Sequence, residues 1–375
     1  MPPRTRHRLA ARLSALLTIA GVSLGASALP SQAAPGTAAH PAAHPAAHAA
    51  AGATATDPTG LNGITITNVN NGRNLDAQNG NTGDGVFIVT NSSPGYHQKW
   101  RLQPDRSDGS FSIVNSDTGK CVDAGTPLRQ RSCDGRASEQ WYFQPVTGST
   151  ATFMIRQKRD NSCLDVWYAA DYDDAWTDNY SCNGTTAQRW VLSGTGTAAA
   201  DARDLAVDYA AARCAKDTST CSWSTRSQTP AAPLPKQCVS PVWYNGSESP
   251  AGYTFSINKQ TGWSSSLGWQ LSASLGTGAA SPITTSVAST VSGNVSLSIT
   301  EDLGNSVSAT IPPDKYGWVA LSELATRVTG TWTFDRNGFA WTADDTLTVP
   351  LKNDSTGGAS IYSVQTSSTF TNCQS

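Results

Sequence analysis

The residues able to do acid–base or metal chemistry are few, and their places narrow what the chain can catalyse. It has 5 histidines in 375 residues. His7 lies at the extreme N-terminus, His40, His44 and His48 sit in an Ala/Pro run, and His97 stands alone in globular sequence. A Ser-His-Asp or Cys-His site needs an imidazole beside its nucleophile, and a His-rich zinc site needs several. Both are close to excluded. His40 and His44 could share a helix face and bind metal, but Pro41 and Pro45 break that helix and favour an extended linker. Glutamate is confined to Glu139, Glu248, Glu301 and Glu323, so a paired-carboxylate hydrolase would rest mainly on Asp. The Asp344-Asp345 pair keeps a glycan hydrolase as the weakest alternative. No catalytic residue, metal ligand or cofactor is assigned, and the composition favours a binding protein over an enzyme.

Aspartate does recur in one local setting, and that setting belongs to a repeat. Asn74-Leu75-Asp76, Cys121-Val122-Asp123 and Cys163-Leu164-Asp165 each open a segment that closes on Gln98-Lys99-Trp100, Glu139-Gln140-Trp141 or Gln188-Arg189-Trp190. The Asp positions step by 47 and 42, the Trp positions by 41 and 49. No helical period runs through them. Short apolar runs such as Val86-Phe87-Ile88-Val89 alternate with Gly/Asn/Ser/Asp turns, which is a strand pattern. A single unit of this size cannot bury its own apolar face, so three must close on a shared core. The recurring Trp is expected to plug that core.

Three units with a Cys-apolar-Asp start and a Gln-x-Trp end resemble the ricin B-type lectins, which are β-trefoils, over residues 60–195. The resemblance implies a shallow sugar site in each unit, where carboxylate and amide groups take adjacent hydroxyls and an aromatic face covers the apolar side of the ring. Carried onto this chain, the third unit supplies Asp165, the polar Asp178, the aromatic Tyr180 and Gln188, with Ala187 where Asn is expected. In the second unit Asp123 remains, while Arg131 replaces the aromatic and Glu139 the Gln. In the first, Asp76 and Gln98 remain and Thr90 stands at the aromatic position. The best site is therefore expected in the third unit, with Asp123, Asp76 and Gln98 marking weaker ones. For Asp76 and Asp123, ordering of a local turn is an equally good account. The same resemblance implies the disulfides Cys121–Cys133 and Cys163–Cys182.

The segments around these units set compartment and partners. Arg4, Arg6, Arg8 and Arg12 precede an apolar stretch from Leu16 to Leu29 and small residues suited to cleavage, so residues 1–33 are expected to be a secretory signal peptide. Residues 34–59 read as an Ala/Pro/His-rich linker. Without the four leader arginines, 22 basic residues face 28 acidic ones, a net charge near −6 that carries no nucleic-acid footprint. An even count of 8 cysteines in an exported, extracellular chain points to disulfides. Cys214, Cys221, Cys238 and Cys373 leave three pairings open.

Residues 196–375 read as a second β-rich domain, opened by a short helix from Asp201 to Arg213. Gln260 to Thr300 contains no charged residue in 41 positions. Within it, Leu271, Leu275, Ile283, Val287, Val291, Val295, Leu297 and Ile299 hold odd positions opposite mostly Ser, Thr and Asn. Period two gives one apolar and one hydroxyl face, long enough to span a bilayer as a strand. The order Val242 to Ser247, Tyr253 to Ile257, the uncharged stretch and Ile311-Pro312-Pro313 resembles the aerolysin-type pore-forming superfamily. That resemblance implies a β-hairpin stored on the body, with its tip near Gly276 to Pro282 or Glu301 to Asn305, which inserts into a membrane from a self-oligomer. The alternative is a static β-sandwich in a carbohydrate-binding protein without pore activity. Asn337-Gly338 is expected to be a two-residue hairpin turn. The expected fold is all-β: an N-terminal β-trefoil, then an elongated antiparallel sheet or sandwich with that short helix at its start.

Overall fold

The computed structural model describes residues 61–372, apart from 106, 195, 258–259, 269–281, 293–294, 296–299, 303–305, 337 and 353–359. The expected leader and linker, Leu271, Leu275, Leu297, Ile299, Cys373 and all of the Gly276 to Pro282 tip but Pro282 itself fall outside these residues.

The first region is built from twelve strands: β1 (Asn62–Asn68), β2 (Asn74–Ala77), β3 (Ile88–Asn91), β4 (Trp100–Pro104), β5 (Phe111–Asn115), β6 (Cys121–Asp123), β7 (Arg129–Arg131), β8 (Trp141–Pro145), β9 (Thr152–Gln157), β10 (Cys163–Val166), β11 (Ala175–Tyr180) and β12 (Trp190–Ser193). Antiparallel pairings β1–β4, β4–β5, β5–β8, β8–β9, β9–β12 and β12–β1 close a six-stranded barrel. The remaining strands form three hairpins, β2–β3, β6–β7 and β10–β11, one per sequence repeat. This is a β-trefoil. Closure removes the unpaired strand edges, and the alternating inward residues fill the barrel.

The Trp of each repeat is fully buried, and its indole N–H finds a partner at the start of the same repeat. Trp100 donates to the Leu75 carbonyl at 3.0 Å, Trp141 to Val122 at 3.2 Å and Trp190 to Leu164 at 3.0 Å. A buried indole needs such an acceptor. Here the acceptor is always the residue before the repeat's Asp, so the plug fixes the height of that Asp on its hairpin.

Helix α1 (Ala198–Lys216) is longer than the sequence pattern suggested, with Asp201 in its first turn and Arg213 and Lys216 in its last, each favourable to the helix dipole. It lies on the trefoil, where Tyr209 stacks on Tyr142 at 4.1 Å. Gly109 makes this approach possible. A Cβ there would sit 2.7 Å from the Tyr209 nitrogen, and its φ of +73° suits glycine. One buried apolar cluster continues from the trefoil through α1 into the second region.

That second region is organised by one 20-residue strand, Lys315–Phe334. Cys221–Gln228 and Trp243–Asn245 pair along it, as do Trp341–Pro350 and Ser360–Ser367. At ~3.3 Å per residue it is an elongated sheet, as expected. Cys214 is bonded to Cys221, which settles one of the open pairings, and Cys238 is disulfide-bonded as well. Phe334 pairs with Trp341 in a hairpin whose connection spans 335–340, longer than the two-residue turn expected at Asn337-Gly338.

The uncharged stretch departs from the expected continuous strand. Pro282–Ala288 is a helix, α2, with Ile283, Thr284 and Val287 buried and Thr285 and Ser286 exposed. Ile283 and Val287 are four apart, and that spacing fits one face of a helix as well as one face of a strand. Val291 is partly buried against the core, and Val295 bridges to Leu351. Around this segment the arms are regular. Ala251–Ser256 pairs with Ser306–Ile311, and Gln260–Gly262 pairs with Thr300–Asp302 in the same register. The two paired arms share one register and flank residues 263–299 in the sequence.

Candidate functional site

The third repeat brings four sequence-expected residues to one hairpin. In the β10–β11 register Asp165 lies opposite Asp178, and Cys163 lies opposite Tyr180. Strand alternation puts Trp176, Asp178 and Tyr180 on one face of β11. Tyr180 is 56% and Trp176 40% exposed, while Asp165 and Asp178 are each 7% exposed between them. The buried Gln188 amide donates to Asp165 Oδ2 at 2.6 Å and to the Ser181 carbonyl at 3.0 Å. Its own oxygen accepts from the Asn183 and Gly184 backbone N–H groups. Gln188 thus positions both the acid and the loop closed by the Cys163–Cys182 disulfide.

Burial sets the electrostatics of this pair. Desolvation raises the Asp165 carboxyl, with the Gln188 hydrogen bond acting against it. Asp178 is pushed up to about 6, by desolvation first and by the Asp165 charge second. One Asp178 oxygen is sealed from solvent without a hydrogen-bond partner. The site therefore holds acceptors in excess of donors, bordered by open aromatic faces.

The aromatic border extends beyond Tyr180. Trp176 packs on Phe87 at 5.1 Å and on Trp167 at 5.5 Å, and Tyr168 stands almost fully exposed beside Trp167. The loop between them is pinned to the first repeat, where Arg73 meets Asp171 and Asp173 and Ser92 bonds Asp173. Neither Trp176 nor Tyr168 was singled out from sequence. Their signal was available: two aromatics follow Asp165 closely, and Trp176 shares the odd-even phase of Asp178 and Tyr180.

The other repeats lack this combination. In the second, Arg129 stands opposite Asp123 and Arg131 opposite Cys121. Arg131 pairs with Asp123 at 2.8 Å, and Glu139 accepts from the Asp134 and Gly135 N–H groups, holding the loop that Gln188 holds in the third repeat. In the first, Gln98 donates to Asp76 at 2.8 Å, and burial raises the Asp76 carboxyl. The register corrects one assignment here: Asn91, opposite Asn74, occupies the position of Tyr180, and Thr90 is fully buried on the other face. The Cys121–Cys133 bond is present as the resemblance implied.

Elsewhere, Asp344 is exposed and paired with Arg226, whereas Asp345 is buried and accepts from Ser265, Ser266 and Trp332. Adjacent in sequence, the two point to opposite faces of one strand and share no site. Among the described residues no group of three or more His, Cys, Asp or Glu could hold a metal, and no helix is long and apolar enough to cross a membrane.

Residues 54–127 and 137–208 match the family model described as ricin-type beta-trefoil lectin domain-like. The first region is a ricin-type β-trefoil lectin domain. Solved structures similar to it include a designed 3-fold symmetric protein, ThreeFoil, at 29% identity over 35% of this chain and 97% of that one, with a TM-score of 0.33. An exo-beta-1,3-galactanase from Clostridium thermocellum is 24% identical over 35% of this chain, which spans 30% of the galactanase, with a TM-score of 0.33. The C-half of an earthworm R-type lectin, solved with GalNAc, is 20% identical over 35% of this chain and 97% of that one, with a TM-score of 0.29. No curated protein matches the chain. The family match places the lectin domain ahead of the long-strand region and ends within α1.

Proposed function

We propose that the protein is a secreted lectin that docks on a cell-surface glycan or polysaccharide through the third repeat of its lectin domain. The observation that carries this reading is the Asp165–Gln188 hydrogen bond at 2.6 Å beside the open ring of Tyr180. A fixed carboxylate and amide supply what sugar hydroxyls need, and the exposed aromatic covers a pyranose face. Asp178 adds a second acceptor. The protein acts here by binding and not by catalysis. A glycan array tests it: the Asp165→Ala, Tyr180→Ala double variant loses the signal of the wild type. Undiminished binding by that variant would move the site elsewhere.

A second activity, an oligomeric β-barrel pore in the target membrane, is favoured by the two paired arms that flank residues 263–299. The arms share one register, and the chain carries no charge from Gln260 to Thr300. Lys or Arg facing lipid at the midplane would cost ~2–4 kcal/mol, so an uncharged insert suits a bilayer. In this reading α2 unwinds to a strand on insertion, and several weak sugar contacts in the oligomer add up to firm docking. Dye release from glycan-bearing liposomes, with an SDS-resistant oligomer, is the expected result. Silence on every lipid, glycan and proteolytic trigger leaves the static sandwich.

A further inference from the structure

We infer that the third-repeat site selects a glycan bearing a free amine, an amino sugar whose nitrogen is not acetylated, over its neutral counterpart. This rests on the glycan reading above and adds the ligand class. The argument starts from the hairpin register. The residue opposite the repeat's Asp is Val89 in the first repeat, Arg129 in the second and Asp178 in the third. Only there do two carboxylates face each other across the ladder. In the second repeat the carboxylate is already neutralised, since Arg131 lies 2.8 Å and Arg136 3.8 Å from Asp123. The ion pairs of the described residues include neither Asp165 nor Asp178.

Asp178 is also more than nine-tenths buried, and one of its oxygens lacks any hydrogen-bond partner. A desolvated carboxylate pair without a counter-charge is an incomplete arrangement in a folded protein, because buried charges are normally paired. Burial first and the neighbouring Asp165 charge second raise the Asp178 carboxyl. A sugar hydroxyl offers one donor and no charge to such a pair. An ammonium offers three donors and a full positive charge, and its hydrogen bonds to carboxylate are the stronger, charge-assisted kind. Tyr180 and Trp176, exposed on the same strand face to either side of Asp178, add aromatic faces that attract a cation. Carboxylate pair, missing counter-ion and aromatic border point to the same ligand chemistry.

The test is calorimetric titration of the full chain at pH 6.5 with matched oligosaccharides, glucosamine against N-acetylglucosamine oligomers and galactosamine against N-acetylgalactosamine oligomers. In the configuration that binds, the amine form is expected to bind about tenfold more tightly than its acetylated match. In Asp178→Asn that ratio falls to near one, and in Tyr180→Ala both members weaken, the amine form the more. Added salt lowers the ratio, because it screens a charge contribution. A wild-type ratio near one, or a ratio that survives Asp178→Asn, overturns the inference. If the acetylated or another neutral glycan binds in a Tyr180-dependent way without any preference for the amine, the glycan reading stands and this inference alone falls. If no glycan of either kind binds, both fall.

Discussion

Arg156 of the lectin domain and Asp335 of the second region meet at 3.0 Å with both side chains nearly closed to solvent. Arg213 from α1 reaches the other Asp335 oxygen at 3.3 Å, and the Phe339 N–H donates to the same carboxylate at 2.9 Å. Arg156 is further held by the Asn161 carbonyl and by Gln144, whose amide donates to the Phe339 carbonyl at 2.7 Å. One carboxylate therefore joins barrel strand β9, the helix and the tip of the long hairpin. The two regions are coupled by specific chemistry as well as by a shared apolar core.

Asp335→Ala is expected to be among the most destabilising single changes. It leaves two guanidinium groups without their shared anion, and removal of one partner from a buried pair costs about 3–5 kcal/mol. Asp335 has a φ of +52°, so alanine also meets backbone strain that asparagine tolerates better. Urea unfolding should show a large loss for alanine and a smaller one for asparagine. Equal, small losses would mean the network contributes little.

The Trp plugs separate stability from binding. Trp190→Phe and Trp141→Phe each remove an indole donor from a buried carbonyl, a loss of about 1–3 kcal/mol before any repacking. The carbonyl freed by Trp190 is that of Leu164, next to Asp165, whereas Trp141 serves Val122 beside the ion-paired Asp123. Both variants should unfold earlier, and only Trp190→Phe should also weaken glycan binding. Thermal melts beside a glycan titration distinguish the two.

The trefoil was legible because its signal is threefold. The Asp and Trp spacings recur, each Asp at the same place on its hairpin and each Trp at the same place in the barrel. The site was legible in part: Asp165, Asp178, Tyr180 and Gln188 come together, but Thr90 was placed one residue off its true counterpart, Asn91. Sequence spacing gives no register, and a one-residue slip moves a side chain to the other face. The second region was legible as an elongated sheet and no further. Its 20-residue strand is read easily as β once Trp341–Pro350 is seen beside it, yet Ile283 and Val287 fit a helix and a strand equally well. Tertiary packing, with Val287 buried against the core, decides for the helix in this state.

Gly330 marks where the long strand is most tightly covered. A Cβ there would lie 2.4 Å from both the Ser224 carbonyl oxygen and the Trp223 ring. The paired strand shifts register just beyond, between Thr225 and Ser227. Gly330→Ala must displace backbone or a buried Trp, and overpacking of this kind costs about 1–3 kcal/mol. Hydrogen exchange should quicken in Cys221–Gln228 and Lys315–Phe334, with the lectin strands and glycan affinity unchanged. Faster exchange in β10 or β11 would show that the lectin domain depends on this contact.

Asp178 supplies the pH-dependent prediction. Its carboxyl is raised to about 6 in the folded protein, so between pH 4 and 6 the folded state holds a proton that the unfolded chain has released. More protons bound to the folded state means that stability falls as pH rises through that window. Asparagine does not titrate. The melting temperature of Asp178→Asn relative to wild type should therefore climb between pH 4 and about 6 and then level off. Asp208 on α1, raised to about 6 by burial first and by Asp204 second, should give the same signature in Asp208→Asn without any change in glycan affinity. Melts of the three proteins at half-unit pH steps decide the matter. A flat difference for Asp178→Asn would mean that the carboxylate ionises unhindered and that Asp165 exerts no field on it.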